Sequence, residues 1–125
     1  MDAGNEGPPS EPIVKRSTML ACALADGQRA ELTVTRRSAR MFSHGTMEVK
    51  YYRPEFVDRQ TPHSQDEVYV VIAGLGIFEC DGERVPFEPG AVLFAAAGAE
   101  HRFTEFSEDF STWVVFYGPE GGEHP

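Results

Sequence analysis

Short runs of Val, Ile, Tyr and Phe, separated by Gly, Pro and Asp, fill most of this chain. They leave little choice of fold class. The runs are MEVKYYRP (Met47–Pro54), EVYVVIAG (Glu67–Gly74), AVLFA (Ala91–Ala95), HRFTEF (His101–Phe106) and TWVVFY (Thr112–Tyr117). β-Branched and aromatic residues suit a pleated, half-buried surface, and short strands at close spacing argue for a sandwich or barrel. GIFECDGERVPF reads as a hairpin turning at Asp81–Gly82, where the chain tolerates positive φ. The one helical signal lies upstream, in STMLACALADG. Ser17 or Thr18 offers a cap, an Ala- and Leu-rich body follows, and Gly27 supplies a stop. The expectation is an all-β chain with a short N-terminal helix.

With 125 residues there is room for one core. The acidic, Gly- and Pro-rich start, residues 1–13, reads as a disordered lead-in without the features of a secretory signal. Residues 14–118 read as the single domain, and residues 119–125 as a loose tail. No run of about 18 apolar residues is present, which argues against a membrane partner. A net charge of −9 repels phosphate backbones, and the basic cluster Arg36, Arg37 and Arg40 is too small to reverse it. Nucleic acid is therefore an unfavourable partner. Cys22 and Cys80 show no metal-knuckle spacing and read as reduced thiols in a cytoplasmic protein. Neither a nucleophile elbow nor a phosphate-cradling glycine loop occurs.

His63 and Glu67 are the first residues with chemistry to offer. On one straight strand they would stand about 13 Å apart, too far to share a metal held at about 2 Å. If Ser64, Gln65 and Asp66 make a tight turn, His63 ends one strand and Glu67 starts the next. Directly opposed side chains then have Cβ atoms about 5 Å apart. His101, opening a strand after a small-residue turn, is the natural third donor, whereas His44 and His124 read as surface residues. Tyr69 shares side-chain parity with Glu67 and is expected to line a pocket beside it.

These residues stand in a pattern that resembles the cupin superfamily, in particular small single-domain bacterial members. The first cupin motif, G-x5-H-x-H-x3/4-E-x6-G, is met by His63, Glu67 and Gly74 in register. The second, G-x5-P-x-G-x2-H-x3-N, is met by Gly90, Gly98 and His101, and the core motifs span residues 61–105. Four positions depart from it: Glu55 replaces the leading glycine, Thr61 the first histidine, Ala96 the proline and Glu105 the closing asparagine.

The resemblance implies a double-stranded β-helix, a jelly-roll barrel often found as a homodimer. It implies a divalent metal held by His63, Glu67 and His101, with Thr61 and Gln65 as further ligands or water holders. Fe, Mn, Zn, Ni and Co all suit such donors. The implied function is a small-molecule metalloenzyme with dioxygenase- or isomerase-like chemistry. The alternative is a non-catalytic cupin that binds or senses a small ligand with weak metal or none. On that alternative His63 and His101 are neutral histidines hydrogen-bonded within a barrel. Arg53, Arg59 and Arg102 are either steering charges for an anionic substrate or ordinary surface.

Overall fold

A computed structural model describes residues 18–125. The predicted lead-in, residues 1–13, lies outside them, as does Ser17. One short helix precedes eight strands: α1 (Leu24–Gln28), β1 (Ser38–His44), β2 (Met47–Tyr52), β3 (Asp66–Ala73), β4 (Gly76–Cys80), β5 (Glu83–Phe87), β6 (Val92–Ala95), β7 (His101–Thr104) and β8 (Ser111–Tyr117). They form a five-stranded sheet in the order β1-β2-β8-β3-β6 and a three-stranded sheet in the order β5-β4-β7. Every ladder in the two sheets is antiparallel. This is the double-stranded β-helix expected of the sequence.

The helix differs from its expected form. It starts at Leu24, beyond the Ser17/Thr18 cap, and Gly27 lies inside it instead of ending it. Its first turn is closed by Asp26, whose carboxylate accepts the Ala23 N–H at 2.7 Å. Gly27 is required by contact: a Cβ there would sit 2.5 Å from the Tyr51 ring. The sequence signals also missed β1, which pairs with β2 through the turn at Gly45–Thr46.

Residues of alternating parity divide the larger sheet. Glu67, Tyr69 and Val71 face inward, opposite Phe116, Val114 and Thr112 of β8. With Phe78, Phe87, Phe103 and Phe110 they make a core rich in aromatic rings. Phe103 is its centre, 4.7 Å from Phe110, 4.8 Å from Tyr69 and 5.1 Å from Phe78 by ring centroids. Such tilted and edge-on pairs each add about 0.5–1.5 kcal/mol beyond area burial. The hairpin turn lies at Asp81–Gly82 as expected, with φ of 48° and 87°. Pro86 is tolerated because β5 is an edge strand.

The C-terminal tail, expected to be loose, is tied down. Glu123 N–H donates to Asp66 at 2.8 Å and Gly121 N–H to the Ser64 carbonyl at 2.7 Å. A buried carboxylate at the start of β3 needs donors, and the tail supplies one while Ala97 N–H supplies another.

Gly74, which closes the first motif, has φ of +94°, and a Cβ added there would lie 2.5 Å from the Phe110 Cα. Gly82 has φ of +87° but open space around it. Gly74→Ala is therefore expected to cost about 3 kcal/mol, from backbone strain plus a clash with main chain that cannot step aside. Gly82→Ala, with strain alone, should cost about 1 kcal/mol. Paired urea denaturation curves check this ordering, and equal losses would refute it.

Candidate functional site: a buried polar cluster below a cationic cleft

Glu67 on β3 and His101 at the start of β7 are brought together inside the barrel, both side chains almost fully buried and in direct contact through Glu67 Oε1 and His101 Nε2. Tyr69, two residues along β3, places its hydroxyl 2.9 Å from Glu67 Oε1 and 3.0 Å from His101 Nε2. The same hydroxyl lies 2.9 Å from Gln60 Oε1. With one proton it donates to a single acceptor at a time, and an ionised carboxylate is the stronger one. His101 Nδ1 donates to the Ala99 carbonyl at 2.9 Å, which leaves Nε2 to face Glu67 and Tyr69. Glu67 Oε2 has no hydrogen-bond partner among the described residues.

The cluster continues through Gln60. Its Nε2 donates to Asp58 Oδ2 at 2.7 Å, and its N–H to Asp58 Oδ1 at 3.1 Å. Asp58, also buried, accepts the Tyr52 hydroxyl at 2.5 Å and the Phe103 N–H at 2.8 Å. Tyr52, Asp58, Gln60, Tyr69, Glu67 and His101 thus form one connected polar chain through an aromatic interior. Burial, then the Glu67 charge and hydrogen bond, push the Tyr69 phenol well above its ordinary pKa. Burial and then Asp58 do the same for Tyr52. For His101, burial favours the neutral ring. Hydrogen bonds to Glu67 and Ala99, with the charges of Glu67 and Asp58, outweigh it and raise the pKa.

The remaining site residues predicted from sequence lie elsewhere. His63 is exposed, its ring 4.5 Å from that of Phe116. No strand precedes β3 at residues 61–63, and the cross-strand partners of Glu67 are Ala95 and Phe116. The strand–turn–strand arrangement that would set His63 opposite Glu67 is therefore not formed, because Asp66 already opens β3. Gln65 is spent on structure, its amide donating to the carbonyls of Thr46 at 3.0 Å and Gly118 at 2.9 Å. Thr61 is exposed, and Tyr69 is fully buried. Among the described residues no group of three His, Cys, Asp or Glu side chains converges as a metal would require. Glu67 and His101 supply two adjacent donors, and His63 as placed does not complete a three-ligand centre.

A cleft of about 300 Å³ opens above this cluster. Thr61, His63, Val114 and Phe116 line it, and Tyr52 and Gln60 belong to both the cleft and the buried chain. Gln60, Asp58 and Tyr52 were missed in the sequence. Their only local signal is the Asp58–Gln60 backbone contact, a turn device found in many loops.

A pKa raised on folding means that the native state binds the His101 proton more tightly than the unfolded chain. That stabilisation is complete below the ordinary histidine value of 6.5 and is lost as pH climbs through the higher folded-state value. In buffer containing a chelator, the urea midpoint should fall as pH rises above 6.5, and His101→Gln should flatten that fall. A wild-type profile rising over the same range would contradict the assignment.

Comparison with known proteins gives the same fold. A protein-family profile described as a cupin domain matches residues 48–117. A Streptomyces coelicolor protein, SCO3923, is 41% identical over 63 residues, which span 50% of this chain and 60% of that protein. A cupin 2 conserved barrel domain protein from Salinispora arenicola superposes with a TM-score of 0.61 at 20% identity, covering 82% of this chain and 91% of its own. The plu4264 protein from Photorhabdus luminescens also reaches 0.61, at 12% identity, with coverages of 82% and 89%. Two motifs in register, the barrel and the profile match over its core agree: the chain belongs to the cupin-domain family.

Proposed function

We propose that this cupin barrel binds a small molecule in the cleft at its mouth, with the buried Glu67–His101–Tyr69 cluster as a protein-only support. The observation that carries this reading is the double membership of Tyr52 and Gln60. Both line the cleft, and both are fixed from behind by buried partners, Asp58 and Tyr69. Polar groups held in one orientation before a ligand arrives lose little entropy on binding it. Gln60 lines the cleft and its Oε1 lies 2.9 Å from the Tyr69 hydroxyl, so a ligand that re-orients its amide also changes what Tyr69 can donate to.

A second reading keeps the metal. Among the described residues Glu67 Oε2 is buried without a partner, and a buried unpaired carboxylate oxygen is costly. A divalent ion from the set Fe, Mn, Zn, Ni and Co would relieve that cost, with Glu67 and His101 as donors. His63 would have to leave Phe116 to join them. Such a centre would support dioxygenase- or isomerase-like chemistry.

The homodimer implied by the resemblance has a surface available on the opposite face of the larger sheet. There Val92 and Phe94 of β6 are 67% and 52% exposed, beside Val68 and Val70.

Metal analysis of protein purified without chelator or added metal separates the readings. The ligand-binding reading expects well under one metal ion per chain and an unchanged melting temperature in EDTA. Small-fragment screening by NMR should then shift the signals of Gln60, Thr61 and Val114. Near-stoichiometric Fe or Mn, lost in His101→Ala, would establish the second reading in its place.

A further inference from the structure

The cleft has a charge opposite to that of the chain. The protein carries 20 acidic and 11 basic residues, yet among the described residues Arg36, Arg37, Lys50 and Arg59 line the cleft against a single acid, Glu55. Among the described residues, none of these four forms an ion pair with another cleft residue. Arg36 and Arg37 spend hydrogen bonds on the neutral carbonyls of Glu31, Arg53 and Thr33, and among the described residues neither pairs with a carboxylate. Among the described residues no carboxylate pairs with Arg59. Lys50 meets one, Glu48, at the 4.0 Å limit of an ion pair.

The walls between these charges are apolar. Val114 and Phe116 project from β8 beside the ring of His63. Lys50 Nζ lies 5.5 Å from the centre of the Phe116 ring, so a cation and an aromatic face adjoin in the same cleft. Among the described residues no glycine lines the cleft. Phosphate sites commonly rest on glycine-rich loops whose backbone N–H groups converge, and here the positive charge comes from side chains alone. A volume of about 300 Å³ is at the small end of ligand sites, which span about 300–1,000 Å³.

Resting on the ligand-binding reading above, we infer that the ligand is a small organic carboxylate with a flat apolar body. Its carboxylate meets Arg59 and Lys50, and its body lies against Phe116 and Val114. Concentrated positive charge on a chain of net charge −9 also selects by exclusion, since anions otherwise avoid this surface.

Benzoate, benzamide, benzylamine and inorganic phosphate, titrated into the full chain and followed by NMR, test this. Benzoate is expected to bind at the cleft at least ten-fold more tightly than benzamide or phosphate, and benzylamine not to bind. Affinity should fall as salt shortens the Debye length below about 10 Å. Arg59→Ala and Lys50→Met should each weaken benzoate at least five-fold. Arg102→Ala, which removes an exposed charge outside this cleft, should leave it unchanged. Equal binding of benzamide overturns the requirement for an anion, and equal binding of phosphate overturns the apolar body. Equal losses from Arg102→Ala and Arg59→Ala would reduce the effect to net charge and overturn the site. If none of the four probes moves a cleft signal, the ligand-binding reading fails together with the inference.

Discussion

The Asp58 carboxylate is the interaction on which the rest of the site depends. It sits in a loop between β2 and β3, yet it is buried and accepts hydrogen bonds from Tyr52, Gln60 and Phe103. Tyr52 ends a strand of the larger sheet and Phe103 lies in the smaller one. One side chain therefore fastens a long loop to both sheets. A buried carboxylate with its acceptor sites filled is stable, and each donor it holds is oriented as a result. Gln60 is the donor that matters most, because its far end then meets Tyr69. The same loop carries Phe56 at φ of 65°, in a three-residue turn closed by Val57 N–H to the Glu55 carbonyl at 2.7 Å. A bulky residue at positive φ is strained, and the anchorage at Asp58 holds it there.

The barrel interior is split between two kinds of packing. Aromatic rings around Phe103 fill one part, and the chain from Tyr52 to His101 fills the other. In a low-dielectric setting such a chain is worth keeping only when its members satisfy one another. Among the described residues Glu67 Oε2 is the exception, and the other oxygen of that carboxylate contacts the two groups, Tyr69 and His101, that could transmit a change at the cleft. This links the interior to the ligand chemistry proposed for the mouth. The cluster is held from behind by its own hydrogen bonds, while the charged residues proposed to meet a ligand stand on β2 and the flanking loops.

The cupin motifs were legible because they record backbone conformation as much as ligands. The glycine at 74 is demanded by positive φ and by Phe110 packed against it. Even the departure at Glu105 falls on a left-handed residue, φ of 51°, where the motif has asparagine, the non-glycine residue that best tolerates that region. Glu67 and Tyr69 were legible as inward-facing because strand parity fixes both at once. His63 was misplaced because its geometry was inferred from an assumed strand before the turn. The chain there is held instead by Asp58, Gln65 and Asp66, whose partners lie between about two and 57 residues away.

The sequence by itself determined most of the strands, the hairpin turn at Asp81–Gly82, the inward parity of Glu67 and Tyr69, and the pairing of Glu67 with His101 through two spaced motifs. These depend on local propensity, on the period of two along a strand, and on glycines that no other residue replaces cheaply. Tertiary structure alone decided the path of the loop before β3, and with it the roles of Gln60, Asp58 and His63. It also gathered Arg36, Arg37, Lys50 and Arg59 around one cleft. Such groupings arise from contacts between segments far apart in the chain. A side chain's partners there depend on sheet register and loop anchorage, which no local pattern encodes.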